Sequence, residues 1–142
     1  GRRFAMTILV AVADDEASSR VVDTAVRLGK GLSQPLYVVH LIDDTDADRA
    51  AERMRDALND RLADEPVDAT VALEYVGRHS RRPGARIAHE LLEIAEDVDI
   101  THIVMGHEAK GLRGRLRSGD AAFAVVNATA VPVTVVPRPD EE

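Results

Sequence analysis

The 142-residue chain contains no cysteine and no tryptophan, and lysine occurs only at Lys30 and Lys110, against sixteen arginines. The lack of cysteine excludes disulfides, thiol catalysis and thiolate metal ligands. No apolar run approaches the ~20 residues that cross a bilayer, and the N-terminus has no hydrophobic signal core. We therefore expect a cytoplasmic protein that is not bound to a membrane.

The formal net charge is -7. A polyanion needs a basic face for counterion release, so this charge argues against nucleic acid as a partner. A length of 142 residues with 45% hydrophobic content suits one buried core. We expect one domain over residues 6–137, an N-terminal extension at 1–5 and a charged tail at 138–142.

Continuous apolar runs of the kind found in strands buried on both faces recur along the chain. The five predicted strands are Thr7–Ala13, Leu36–Ile42, Ala69–Val76, Thr101–Met105 and Val133–Val136. Polar residues interrupt the third run, which places it near a sheet edge.

Apolar residues at helical spacing lie between these runs. The first helix is predicted to bury Val22, Ala25, Val26, Gly29 and Leu32, and to end near Gly31 because Pro35 follows. After an acidic loop at Asp43–Asp48, the second is predicted to bury Ala51, Met54, Leu58 and Leu62. A third helix is predicted from Pro83 and a fourth over Ala121–Ala130.

Alternating strands and helices imply parallel pairing through right-handed crossovers. The predicted fold is therefore a doubly wound five-stranded parallel α/β sheet with helices on both faces. Ligands of such sheets bind beyond the strand carboxyl ends, where the strand order reverses. We expect this crevice to bring Ala13–Asp15 close to Gly106–Ala109.

The stretch Ile103–Val136 reads as a strand, a basic glycine loop, a helix and a closing strand. Gly106 follows the strand and Gly119 opens the helical run, so loop amides and a helix N-terminus could converge on an anion. This unit, with ILVAV, VVHLID and RPGARI earlier in the chain, resembles the universal stress protein family over Thr7–Val136. The resemblance implies a fold like that of the adenine nucleotide alpha-hydrolases.

ATP-binding members of that family carry G-x-x-G, nine residues, then G followed by Ser or Thr. This chain has Gly106, Ala109, Gly119 and Asp120 at the four positions. An ionised Asp120 cannot donate a hydrogen bond to phosphate. It would repel a phosphate charge at about 4 Å by roughly 4 kcal/mol at an effective dielectric near 20. We expect Asp120 to occupy the helix N-terminus itself.

Other positions give conflicting indications about nucleotide binding. Ala13 stands where ATP-binding relatives have an adenine-contacting Asp, and Asp14, one residue later, suits a helix cap. Four cations, Lys110, Arg113, Arg115 and Arg117, lie in the glycine loop. They suit phosphate oxygens, or they pair with the acidic surface.

The cofactor-binding positions that the resemblance implies combine three strand ends with the glycine loop. They are Ala11, Ala13, Asp14, Leu41, Met105, Gly106, His107, Ala109, Arg117, Gly119, Asp120 and Ala121. We expect either no cofactor or ATP or AMP with magnesium. The five histidines have no metal-ligand spacing, so no metal site of the protein's own is predicted, and His40 and His102 are interpreted as core or crevice residues.

No pair of carboxylates, nucleophile with a base or metal cluster in the sequence supports a reaction class, so we predict that the protein is not an enzyme. A receiver domain would need a phosphoacceptor Asp after the third strand, where Tyr75, Val76 and Gly77 stand. A pyrophosphatase-type ATP hydrolase would need glycine in the first loop, and ADDEASS has none.

The last apolar segment, Val131–Val136, is expected at a sheet edge, and an uncovered apolar edge favours pairing with a second copy. The resemblance implies the same dimer. Two functional hypotheses remain: a dimeric stress or regulatory module in which adenine-nucleotide binding is doubtful, and an ATP- or AMP-responsive switch that uses the Gly106–Gly119 loop. An unidentified protein partner is expected for the first.

Overall fold

A computed structural model describes residues 6–12, 18–42, 48–75, 99–106 and 125–137. This part of the chain forms strands and helices in alternation, followed by two further strands. The elements are β1 Thr7–Val12, α1 Ser18–Leu32, β2 Leu36–Ile42, α2 Asp48–Ala63, β3 Ala69–Tyr75, β4 Ile100–Gly106 and β5 Val133–Val136.

The five strands form one parallel sheet in the order β3-β2-β1-β4-β5. β1 lies at the centre, where Val10 pairs with Val38 of β2 and with Val104 of β4. All six residues of β1 are buried, which explains why its sequence is a continuous apolar run. The predicted five-stranded parallel sheet is confirmed, as is the edge position of β3.

α1 packs on the sheet face formed by alternate strand residues such as Ile8, Val10 and Val38. Its buried residues Val21, Val22, Ala25 and Val26 recur at helical spacing and are at most 3% exposed. The prediction that Leu32 belongs to this face is wrong, because Leu32 is 47% exposed. It is the last residue of α1, where the helix has passed beyond the strands it covers.

The end of α1 is a tight turn. The Gln34 amide donates to the Gly29 carbonyl at 3.1 Å, and Ser33 has a φ of 57°. This is the Schellman arrangement, with Ser33 in the left-handed position that glycine usually fills. Pro35 then leads into β2, so the predicted end of the helix is confirmed to within one residue.

α2 lies on the same face as α1, because Leu58 and Leu62 belong to the same buried cluster. Met54 packs against that cluster with partial burial. Asp48, predicted to lie in an acidic loop, is instead the first residue of α2. An acidic residue is stabilised in the first turn of a helix by the positive end of the dipole, which accounts for the difference.

The opposite face of the sheet is covered too. Leu9, Val39 and Ile103 alternate with the residues under α1 and are fully buried. The predicted third helix lies outside the described residues, and the predicted fourth is described only from 125 onwards. There, residues 125–128 are helical, so this helix ends two residues before Ala130. The helix therefore ends before Pro132, whose preceding residue disfavours the helical conformation.

The strand predictions need small corrections. β4 extends one residue further at each end than predicted, so Gly106 is its last residue and not the first residue of a loop. β2 and β5 have the predicted bounds. In the described part of the chain, no helix is both long and apolar enough to cross a membrane.

Candidate functional site

The strand order reverses between β1 and β4. The chain passes from β1 to β2 and β3 on one side, then returns to the other side of β1 as β4 and β5. Because all the strands are parallel, their carboxyl ends meet at one edge of the sheet. In an open α/β sheet this is where two neighbouring connections run apart and leave a crevice.

Three of the predicted site residues lie in strands near this edge of the sheet. Ala11 pairs with Met105 across the β1–β4 boundary and with Val39 on the other side. Leu41 lies two residues beyond Val39 in β2, nearer the carboxyl edge. Ala11 and Met105 are 6% and 3% exposed, so their side chains form the base of the crevice and do not reach into solvent.

Gly106 ends β4 and pairs with Val136 of β5. It is half-buried, while Val136 is 4% exposed. Sequence reasoning missed Val136 as a neighbour of the predicted site. Aligning the last residues of the fourth and fifth apolar runs would have found it, because parallel neighbours end at the same edge.

The other eight predicted positions lie outside the described residues. They are Ala13, Asp14, His107, Ala109, Arg117, Gly119, Asp120 and Ala121. The described part of the site is thus the apolar end of the sheet, from which the glycine loop departs after Gly106. The polar side chains predicted for this site, Asp14, His107, Arg117 and Asp120, are all among these eight positions.

His40 is buried near the same edge but on the other face. It pairs in register with Val12, the last residue of β1, and is 4% exposed. Val12 belongs to the cluster under α1, so His40 lies on the α1 side of the sheet. His102 is part-buried and its Nε2 lies 2.8 Å from the Thr134 hydroxyl of β5. His40 is thus a core residue, and His102 is a partly buried residue that links β4 to β5.

A cleft of about 410 Å³ lies at the opposite, amino edge of the sheet. The end of α1 and the turn before β3 form its walls, with Lys30, Gln34, Glu65 and Asp68 among its lining residues. Gln34 accepts a hydrogen bond from Thr101 at 2.6 Å. This cleft is separated from the switch point by the length of the strands, and none of the predicted site residues lines it.

The described residues contain no group of three or more histidine, aspartate or glutamate side chains placed to hold a metal ion. The strand order, which reverses between β1 and β4, defines a doubly wound α/β sheet with a switch point at its carboxyl edge. The model of the universal stress protein family matches residues 5–137. The chain therefore belongs to the universal stress protein family.

Solved structures share the fold. A universal stress protein from Archaeoglobus fulgidus in complex with dAMP is 21% identical, with 94% of this chain and 98% of that chain covered and a TM-score of 0.69. UspA from Lactobacillus plantarum is also 21% identical, with 96% and 99% covered and a TM-score of 0.68. A universal stress protein in complex with cAMP is 20% identical, with 92% and 96% covered and a TM-score of 0.61. No curated protein matches the chain.

Proposed function

We propose that the chain acts as a homodimeric module of the stress response that regulates through protein contacts and does not catalyse a reaction. The observation that carries this proposal is the position of β5. It is the last strand of the sheet, paired only with β4 among the described residues. An apolar edge strand favours pairing with an identical strand from a second copy.

The residues of β5 support this assembly. Val133, Thr134 and Val135 are only half-buried in the single chain. Two copies related by a twofold axis would place the same backbone groups and valines against each other, as a twofold interface requires. The proposed interface is the segment Val131–Val136, with the second copy as the first partner and an unidentified protein as the second.

In this proposal, adenine nucleotide is at most a weak ligand. Ala13 and Ala109 replace an aspartate and a glycine of the ATP-binding pattern, and Asp120 introduces a negative charge where the pattern has a hydroxyl. All three changes disfavour a bound nucleotide: the first removes a base contact, the second restricts a loop backbone, and the third repels phosphate.

A nucleotide-responsive switch is the second candidate. It is favoured by the reversal of strand order between β1 and β4, with Gly106 as the last residue of β4, and by the complexes of two structural neighbours with dAMP and cAMP. In this alternative the cations Lys110, Arg113, Arg115 and Arg117 bind the phosphates and offset the charge of Asp120.

One experiment separates the two candidates. The purified chain is unfolded with urea, with and without ATP or AMP and magnesium, and its mass in solution is measured by light scattering. A ligand that binds only the folded state adds about 2.7 kcal/mol at a hundred times its Kd. The proposal expects a dimer and no stabilisation by nucleotide. Clear stabilisation would replace the proposal with the switch.

The dimer surface is tested with Val133→Lys, which places a charge on the proposed interface. The matched control is Thr70→Lys, an exposed position on β3 at the other edge of the sheet. We expect the first variant to be a folded monomer by light scattering and circular dichroism, and the second to remain a dimer. Two dimeric variants would refute the β5 interface.

The motif changes are tested with the double variant Ala109→Gly and Asp120→Ser. If this variant gains nucleotide-dependent stability, the rest of the crevice is competent and those two residues weaken binding. If it gains none, Ala13→Asp is added to the same variant. Binding that appears only then would assign the loss to the missing adenine contact.

A further inference from the structure

α2 is attached to the sheet through few apolar side chains. Leu58 and Leu62 are 6% and 5% exposed, and Met54 is partly buried. Most of the other side chains described along α2 are exposed and charged or polar. A helix with few buried apolar contacts belongs to the part of a protein that opens at low free-energy cost.

Charged side chains add a second attachment, from α2 to α1. Arg61 Nη2 donates to Asp23 Oδ1 of α1 at 2.5 Å, and Arg61 Nη1 donates to Glu65 Oε2 at 2.6 Å. Lys30 Nζ of α1 lies 3.7 Å from Glu65 Oε1. Charges of opposite sign therefore alternate through Asp23, Arg61, Glu65 and Lys30, and the network begins and ends on α1.

These groups remain accessible to dissolved ions. The side chains of Arg61 and Asp23 are 38% and 55% exposed. Two hydrogen bonds raise the pKa of Arg61 above its ordinary value, and the one with Asp23 has a larger effect than the one with Glu65. The guanidinium consequently keeps its charge at any physiological pH, and ionic strength is the variable that weakens these attractions.

We propose that Asp23, Arg61, Glu65 and Lys30 form an ionic latch that closes α2 over the sheet, and that ionic strength sets how often α2 opens. The latch acts at the carboxyl end of α2, next to Leu62, because Arg61 lies in its last turn. When salt screens the charges of the latch, the apolar contacts of Leu58 and Leu62 still attach α2 to the sheet.

Opening of α2 is expected to be local. α2 covers β3 and β2, whereas α1 covers β1 and its neighbours. Release of α2 would expose Leu58 and Leu62, which are buried while α2 is in place. The pairing of β1 with β4 would persist, so the switch point is preserved while an apolar surface appears beside it.

The test is hydrogen exchange of the full chain, read by mass spectrometry at about 0.01 M and about 1 M sodium chloride, where the Debye length falls from ~30 Å to ~3 Å. We expect the opening equilibrium of α2 to rise about three-fold at high salt, the size typical of exposed ion pairs. Peptides from α1 in the same sample serve as the reference and should change much less.

Three variants make the result specific. Arg61→Met should show the higher α2 exchange already at low salt, with little further response to salt. Asp23→Asn removes the attachment from the α1 side and should behave similarly, which keeps the test valid if Arg61→Met folds poorly. Arg55→Met is the matched control, because Arg55 pairs at 3.8 Å with Asp56 of the same helix and has no ion pair with another element among the described residues.

Three results would overturn the proposal. In the first, Arg61→Met and Asp23→Asn retain the salt response of the original chain, so the response comes from other charges. In the second, α2 exchanges only together with the central strands, so it has no separate opening. Equal effects of Arg55→Met and Arg61→Met would also exclude a latch, because any lost cation would then suffice.

Discussion

α1 and α2 lie side by side on one face of the same sheet, yet they are attached to it differently. α1 buries four apolar residues, Val21, Val22, Ala25 and Val26, to 3% exposure or less. α2 has a similar length but buries only Leu58 and Leu62 to a comparable degree among its described residues. The position of each helix explains the contrast: α1 covers the central strand, and α2 covers the edge.

The contrast shows that one sheet can carry helices of unequal stability. Apolar burial contributes about 25 cal/mol per Å² and is insensitive to moderate salt, so α1 belongs to the cooperative core. Exposed ion pairs contribute up to about 1 kcal/mol each and weaken as salt rises. The attachment of α2 therefore depends more on the solution. Three sets of substitutions, in order of decreasing expected effect, test this difference.

Leu62→Ala should cost about 2–5 kcal/mol in the free energy of unfolding, because it removes one of the two buried leucines of α2 and leaves a cavity. Urea unfolding measures the loss, and hydrogen exchange shows whether it is concentrated in α2. Leu32→Ala is the matched control at the exposed end of α1 and should cost less than about 1 kcal/mol. Similar losses for the two leucines would contradict the contrast.

Gly29→Ala and Gly31→Ala should change stability in opposite directions. A Cβ at Gly29 would lie 2.9 Å from Val67 Cγ2 and 3.1 Å from the Gln34 carbonyl oxygen, whereas a Cβ at Gly31 meets nothing within 4 Å. We expect Gly29→Ala to cost about 1–2 kcal/mol through overpacking. Gly31→Ala should stabilise by about 0.5–1 kcal/mol through helix propensity.

Thermal unfolding of both glycine variants checks the signs. The absence of a side chain at Gly29 lets the end of α1 approach the turn that follows α2, where Val67 lies. Stabilisation by Gly29→Ala would show that Val67 can move away from the added methyl group at little cost. The packing between the end of α1 and this turn would then be less tight than the distances indicate.

Ser33→Gly should stabilise the chain by about 0.5–1 kcal/mol. Ser33 has a φ of 57°, which costs an L-residue about 1–2 kcal/mol, and the greater backbone entropy of glycine offsets part of the gain. Ser33→Ala keeps the strain and should not stabilise. Equal unfolding midpoints for both variants would indicate that the turn relaxes around either residue.

Much of this architecture was predictable because a strand that is buried on both faces has a continuous apolar sequence. The central strands read as unbroken apolar runs, and Pro35 correctly fixed the end of α1. Leu32 was misassigned because helical spacing does not show where a helix extends beyond the strands that it covers. Asp48 was misassigned because acidic residues are common both in loops and in the first turn of a helix.

The candidate site was less predictable than the fold. Register correctly joins Ala11 to Met105, since parallel strands that end together bring such residues together. Val136 was missed because its place at the site follows from pairing with Gly106, which shows only when the ends of the fourth and fifth apolar runs are aligned. The ionic network was also invisible, because Asp23 and Arg61 are 38 residues apart and exposed charges have no periodic signature.

The place of β1 in the sheet has a consequence for synthesis on the ribosome. Ile8 pairs with Leu36 on one side, 28 residues later in the chain, and with His102 on the other, 94 residues later. At about 5–20 residues per second, the second partner emerges roughly 3–13 seconds after the first. During that interval the most apolar strand of the nascent chain has one edge unpaired, so this step is where chaperones would be needed most.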